Sequence, residues 1–270
     1  MTDGRIREYR PADIPALTAL WRQVFGDSEA LIAAFFRLLP GMGSGVVAES
    51  GGAVVGMAWL LDGLWLVLPD GAERRCGYLY AVAVAPERRG RGLGAALSRA
   101  AFQLGRERGA EILCTEPAEP GLFGWYGRVL GTECALRLRA ETIPAAPGPA
   151  WRHDAETYGA RREELLREVP HLRLSYNALS FAWYLCADCG GGFYQRDGAV
   201  AAAYRDGEIA LIRELLAPAD FDRRTAAAAL AAQLGAAEAL LFTADPEGEP
   251  YLAALPGQLP PETVWDLSFD

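Results

Sequence analysis

An apolar run, Tyr78-Leu79-Tyr80-Ala81-Val82-Ala83-Val84, leads into Arg89-Gly90-Arg91-Gly92-Leu93-Gly94 and then into a helix-like stretch over residues 95–104. Strand, short glycine-rich turn and helix, in that order, leave a row of backbone N–H groups unpaired at the helix start. The positive end of the helix dipole stands behind them, so the turn is suited to a phosphate or pyrophosphate. Gly92 and Gly94 lack the β-carbons that would hinder close approach of a diphosphate, and Arg89 and Arg91 add positive charge. A fold that carries this chain must present that turn at the end of an inner strand.

Three phosphate-binding patterns compete for such a turn. A Walker loop requires Gly-Lys-Ser/Thr, and the chain contains no lysine. A dinucleotide fingerprint requires G-x-G-x-x-G early in a βαβ unit, with an acid about 20 residues on. Here the spacing is G-x-G-x-G, and several strand-like segments come first. The third pattern fits best. Val82-Ala83-Val84-Ala85-Pro86-Glu87-Arg88-Arg89-Gly90-Arg91-Gly92-Leu93-Gly94 resembles the acetyl-CoA signature of the GCN5-related N-acetyltransferases, the GNAT superfamily. Its R/Q-x-x-G-x-G/A follows a V-x-V-x-P strand, and Arg89, Gly92 and Gly94 take the signature positions.

The resemblance implies an acetyl-CoA co-substrate held by the backbone of Val82, Ala83 and Val84 and by Arg89, Gly90, Arg91, Gly92, Leu93 and Gly94. It also implies that the strand before the loop splays from the next one, at residues 111–115, with the pantetheine arm in the gap, a main-chain mode like strand addition. Gly121-Leu122-Phe123-Gly124-Trp125-Tyr126-Gly127-Arg128-Val129-Leu130-Gly131 resembles the family's second cofactor motif, whose tyrosine protonates the departing thiolate in many members. Tyr126 is the match. The family's Y-x-x-x-G-F spacing is not kept, because Gly131 lies one place further on and Thr132 replaces the aromatic. Either Trp125 or Tyr126 is then left to face the sulfur. Glu116, at the end of the following strand, is the candidate base. Tyr78 and Tyr80 share side-chain parity with Val82 and Val84 on an unbroken strand, which makes them candidates to line the acceptor pocket.

Composition limits the partners. The formal net charge of −9 argues against nucleic acid and against anionic membranes, and suits a cationic amine. Without lysine there is no Schiff-base chemistry on a lysine. Five cysteines, an odd number, fit reduced thiols. Cys186-Ala187-Asp188-Cys189 is a lone C-x-x-C, and His153 and His171 are not spaced to complete a zinc site, so no metal is expected. Met1-Thr2-Asp3-Gly4-Arg5 precedes no apolar stretch, and no run approaches a membrane span, so a soluble, cytoplasmic protein is expected.

Along the chain the pattern predicts a strand over 6–9 and helices over 13–25 and 28–39, with Asp13 and either Asp27 or Ser28 as caps. A hairpin over 46–61 and a separate strand over 64–68 follow. The order β-α-α-β-β-β-α-β-α-β, ending near Arg139, is the GNAT order, and 143–149 reads as a proline-rich linker. The second half then repeats the first. Ala85-Pro86 ahead of one helix recurs as Ala217-Pro218 ahead of another, and Cys114-Thr115-Glu116-Pro117 has a counterpart in Phe242-Thr243-Ala244-Asp245-Pro246. The glycine loop is replaced by Ala219-Asp220-Phe221-Asp222-Arg223-Arg224, whose aspartates would repel a pyrophosphate. Residues 264–270 alternate like a last strand, and a terminal carboxylate there could reach the cleft.

The expected class is therefore α/β (α+β): a GNAT fold with a mixed, mostly antiparallel sheet flanked by helices, in two tandem units. Residues 1–142 form the N-acetyltransferase domain and 150–270 a degenerate GNAT-like domain that shapes the acceptor pocket or a homodimer contact. The acceptor is a small-molecule or peptide amine. Two alternatives stay open: a non-catalytic acyl-CoA-binding regulatory module, and a tandem GNAT that uses another acyl donor.

Overall fold

The computed structural model describes residues 5–265 and 269. Strand β1 (Arg5–Glu8) leads to helices α1 (Ile14–Phe25) and α2 (Glu29–Leu38). Both helices are amphipathic and bury one face: Leu17, Leu20 and Trp21 from the first, and Leu31, Ile32 and Phe35 from the second. Gly26, at φ +81°, closes α1. Of the expected caps, Ser28 accepts from the Leu31 amide at 3.0 Å; Asp13 holds the N-cap position of α1 but makes no side-chain cap bond there, and Asp27 is not a cap. Asp13 is taken by a stronger partner. Its two oxygens receive Nη1 and Nη2 of Arg7 at 2.7 and 2.9 Å, and Oδ2 also accepts the Arg10 amide.

The Arg7 hydrogen bonds outweigh burial and hold the Asp13 carboxyl below its usual range. An unfolded aspartate titrates at about 3.9. The contribution is therefore complete above that pH and is lost as pH falls through the depressed folded value. Asp13→Asn should cost about 1–2 kcal/mol at neutral pH. Urea unfolding of the variant and the parent should begin to converge as pH falls below about 4 and coincide only below the depressed folded value.

Strands β2 (Gly43–Ser50), β3 (Ala53–Val67) and β4 (Glu73–Val84) make an antiparallel meander. The two strands expected over 53–68 are one. A register shift between Leu61 and Leu64 absorbs the break, and the Asp62 and Gly63 amides both donate to the Met42 carbonyl. From β4 the chain passes through α3 (Leu93–Glu107) to β5 (Ile112–Thr115), which runs parallel to β4. Helix α3 buries Leu93, Leu97, Ala101 and Phe102 against the sheet. Next come α4 (Pro120–Leu130) and β6 (Glu133–Pro144).

Strand β6 continues past Arg139 into the stretch expected to be linker, because its far end has a partner. Residues Leu138 to Pro144 pair with β12 (Glu238–Ala244), contributed by the second half. The remaining elements are β7 (Arg152–His153), α5 (Tyr158–Leu165), β8 (His171–Leu174), α6 (Tyr176–Asp188), β9 (Gly192–Arg196), β10 (Ala199–Asp206), β11 (Ile209–Leu216), α7 (Arg223–Gln233) and β13 (Glu249–Leu255). The turn joining β9 to β10 places Asp197 and Gly198 at φ +48° and +81°, the conformation an Asp-Gly hairpin turn favours.

All strands join one sheet in the order β1-β2-β3-β4-β5-β13-β6-β12-β11-β10-β9-β7, and β8 pairs with β3. Strand β13 is wedged between β5 and β6, so the two halves share their central strands. The larger core accordingly draws on both, with Trp59 and Phe102 in the same cluster as Phe181, Phe193 and Leu252. A smaller core lies under α7, where a run of buried alanines, Ala226 to Ala231 interrupted by Leu230, lets the helix pack closely on the sheet.

Among the described residues no helix is long and apolar enough to cross a membrane. The strand expected over 264–270 lies largely outside the described residues. Val264 makes a single bridge to His171, and Phe269 is buried.

Candidate active site

The site begins with a fault in β4. Met57 pairs with Ala83 but Trp59 pairs with Tyr80, so β4 carries one residue more than its partner. The extra residue is accommodated by Ala81, which takes φ +44°. A non-glycine residue in that region costs on the order of 1–2 kcal/mol. This bulge overturns the parity expected for the strand. Residues opposite Met57 and Trp59 face the same side, so Ala83 falls on the Tyr80 face and Val84 on the other. A bulge also turns backbone out of the ladder, and here Ala81 and Val82 have no partner on β3.

Beyond Tyr78 the parallel strands part. Pairing of β4 with β5 ends at Tyr78 and Cys114, and the Thr115 hydroxyl instead donates to the Leu79 carbonyl at 3.0 Å. Into this splay open two hollows, and Val82 lines both.

The first hollow, about 460 Å³, lies over the glycine loop and is lined by Val82, Val84, Arg89, Gly90, Gly92 and Leu93, among others. Arg89 Nε donates to the Val84 carbonyl at 3.1 Å, tying the loop back onto the strand. Gly90 and Gly92 sit at φ +75° and +78°, which an L side chain adopts only under strain. The first amides of α3 begin immediately after Gly92 and have no helical acceptors. At Gly94, also in the lining, the nearest atom to a β-carbon would be Val84 Cγ2 at 3.9 Å, so the backbone there is open to a ligand. Loop, glycines and helix start thus form a cradle that fits a diphosphate. Trp125 lines this hollow.

The second hollow, about 620 Å³, gathers Tyr78, Tyr80, Glu116 and Tyr126 around the same strand. The choice between Trp125 and Tyr126 is thereby divided by place: Trp125 stands over the loop and Tyr126 beside Glu116, with the two rings edge to face at 4.8 Å. Glu116 does not stand alone. Its Oε1 accepts from Arg213 Nη2 at 3.3 Å, and that guanidinium, carried by β11, lies over the ring of Phe242 at 5.0 Å. Only the folded sheet brings Arg213 to residue 116.

Local sequence pattern did not mark Trp21, Asp27 and Leu185 in this lining, whereas Phe269 belongs to the terminal segment expected near the cleft. They come from the α1–α2 corner, from α6 and from the end of the chain, far apart in sequence. Asp27, expected only as a helix cap, accepts from Trp21 Nε1 at 2.7 Å.

No cysteine lines either hollow. None is disulfide-bonded, and burial pushes the Cys76 and Cys186 thiols up to about 12, far from the thiolate a nucleophile needs. Among the described residues no group of three or more His, Cys, Asp or Glu could hold a metal ion.

Residues 5–129 match the family model of the acetyltransferase (GNAT) domain. Several solved structures share the fold over nearly the whole chain. A conserved protein from Enterococcus faecalis V583 superposes with a TM-score of 0.67 at 14% identity, over 93% of this chain and 72% of that one. A GCN5-related N-acetyltransferase from Kribbella flavida gives 0.65 at 20% identity, over 93% and 71%. One from Anabaena variabilis gives 0.63 at 16%, over 93% and 72%. No curated protein matches the sequence.

Proposed function

Because residues 5–129 form a GNAT acetyltransferase domain, we propose that this enzyme moves an acetyl group from acetyl-CoA to a primary amine of a small molecule or peptide by direct attack. The observation that carries the reading is the meeting of the two hollows at Val82, on a strand bulged and splayed at that point. One hollow suits the diphosphate and pantetheine of the donor. The other presents a tyrosine and a carboxylate to the acceptor.

In the reaction the neutral amine attacks the thioester carbonyl carbon; the C–N bond forms, the C–S bond breaks and coenzyme A leaves as its thiolate. An amide N–H of Val82 or Ala83 donates to the carbonyl oxygen as charge builds there. Tyr126 gives its phenolic proton to the thiolate. The proton shed by the amine passes to Glu116, directly or through water, and Glu116 must turn from Arg213 to receive it. No covalent enzyme intermediate forms, which agrees with thiols held protonated by burial.

We read residues 1–142 as the catalytic unit and 150–270 as a degenerate unit of the same kind. Two features support this division. Strands β11 and β12 run parallel and are joined through α7, as β4 and β5 are through α3. At the start of α7 the Asp222 carboxylate accepts the Thr225 amide at 3.0 Å, filling with a side chain the place where a phosphate would sit. The second unit then serves the first by wedging β13 beside β5 and by delivering Arg213 to Glu116.

Tyr126→Phe tests the acid. Thiol release monitored with a range of amines should show kcat lowered about 100-fold with KM for acetyl-CoA unchanged. An unchanged kcat would remove Tyr126 from the mechanism. Acetyl-CoA binding without release for any amine would favour the regulatory module.

A further inference from the structure

The walls of the second hollow are more specific than an amine of any kind requires. Aromatic rings crowd it: Trp21, Tyr78, Tyr80 and Phe269 are buried in its walls, and Phe25 stands at its rim, 44% exposed. These rings support one another, with Trp21 5.9 Å from Tyr80 and 6.1 Å from Phe25, and Phe269 5.5 Å from Tyr78. They are therefore fixed flat surfaces. Leu122 and Leu185 add aliphatic surface.

Charge in the described lining is sparse and of one kind. Two carboxylates are present, and Glu116 is matched by Arg213. Asp27 makes no ion pair among the described residues, and its recorded hydrogen bond is the one from Trp21. It also borders the neighbouring surface depression, which places it at the rim with Phe25. A volume of about 620 Å³ lies within the usual span of small-molecule sites. A polycation or an aminosugar would set part of its hydrogen-bonding surface against Trp21, Phe25, Phe269, Leu122 and Leu185, which cannot satisfy it. A flat apolar body packs against these walls, and its ammonium is drawn in by the Asp27 carboxylate.

The geometry points to an acceptor that is a primary monoamine with an aromatic body, an arylalkylamine in chemical class, selected by the ring-lined hollow and admitted past Asp27. This inference rests on the acetyltransferase reading and narrows it. Phe25 and Asp27 act here as specificity residues at the entrance.

The test is acetyl transfer to 2-phenylethylamine, tryptamine, n-propylamine, spermidine and glucosamine, followed as thiol release. Calorimetric titration of 2-phenylethylamine into the protein saturated with coenzyme A accompanies it. The arylalkylamines should show kcat/KM at least tenfold above the others. Phe25→Ala, which removes only a partly exposed ring, should cut that advantage about tenfold and leave n-propylamine unchanged. Asp27→Asn keeps an acceptor for Trp21, and should raise KM for cationic amines about tenfold with little change in kcat. Preference for spermidine or glucosamine, or an arylalkylamine advantage that survives Phe25→Ala, would overturn the inference and leave the acetyltransferase standing. Binding of 2-phenylethylamine with no thiol release from any of the amines would overturn the acetyltransferase reading, and with it the role of acceptor, and leave only a ring-lined site that binds arylalkylamines. Neither binding nor release would overturn both.

Discussion

Gly92→Glu should abolish binding of acetyl-CoA. In calorimetric titration the parent is expected to bind in the micromolar range, on the order of −8 kcal/mol, and the variant to show no heat at millimolar ligand. Two effects act together. Gly92 sits at φ +78° immediately before α3, so any side chain strains the turn by on the order of 1–2 kcal/mol. A carboxylate there also occupies the positive end of the helix, where the diphosphate would lie, and repels it. Gly71→Glu separates these causes. Gly71 adopts φ +83° in a turn outside the hollow, with nothing within 4 Å of a β-carbon, so that variant carries similar strain but should bind normally. Retained binding in Gly92→Glu would mean that the glycine turn is only a turn.

The largest loss of stability is expected from Glu214→Ala. Glu214 is fully buried on β11 and accepts from the Tyr158 hydroxyl at 2.5 Å and from Arg162 Nε at 3.0 Å. Arg162, also buried, donates through Nη1 to the Leu172 carbonyl at 2.7 Å. Burial first, and then the neighbouring Glu214 charge, holds the Tyr158 phenol well above its usual range, so it remains a donor throughout the physiological span. The cluster ties α5 to β11 and, through β8, to β3. Removing the carboxylate leaves the buried guanidinium with only the partly exposed Glu163 as counter-charge, 3.2 Å from Nη1, at a cost of about 3–5 kcal/mol. Against a total stability of about 5–15 kcal/mol, that should bring the urea midpoint down by a large fraction. The double variant Glu214→Leu with Arg162→Met removes both charges and should recover much of the loss, though Tyr158 and the Leu172 carbonyl lose partners. A double variant no more stable than Glu214→Ala would show that hydrogen bonding, not the unpaired charge, dominates.

Much of the amino-terminal unit was legible because its signals are local. Strand, glycine loop and helix follow one another directly between Glu73 and Glu107, and the positive φ of Gly90 and Gly92 is what glycine alone accepts without strain. Ser28 and the Asp197-Gly198 turn were readable for the same reason: each acts on backbone within a few residues of itself. Tyr126 was marked by resemblance, Glu116 by its place at a strand end, and Tyr78 and Tyr80 by a parity with Val82 and Val84 that the bulge at Ala81 removes; the structure lines one hollow with all four. Asp13 holds the N-cap position of α1 that the pattern predicts, but its carboxylate turns to Arg7, which offers two charge-assisted hydrogen bonds where a helix end offers weaker ones.

The sequence by itself determined the order of elements, the ends of most helices and the phosphate-suited turn, since these follow from side-chain periodicity and backbone preference over a few residues. The tertiary structure alone decided that β13 lies between β5 and β6, that an extra residue at Ala81 flips the face of Val84, and that Arg213 reaches Glu116. It alone set Trp21, Asp27 and Phe269 around one hollow. Those arrangements arise from packing between segments as many as about 240 residues apart, where the gain comes from surfaces buried together, and no local pattern records which surface will meet which.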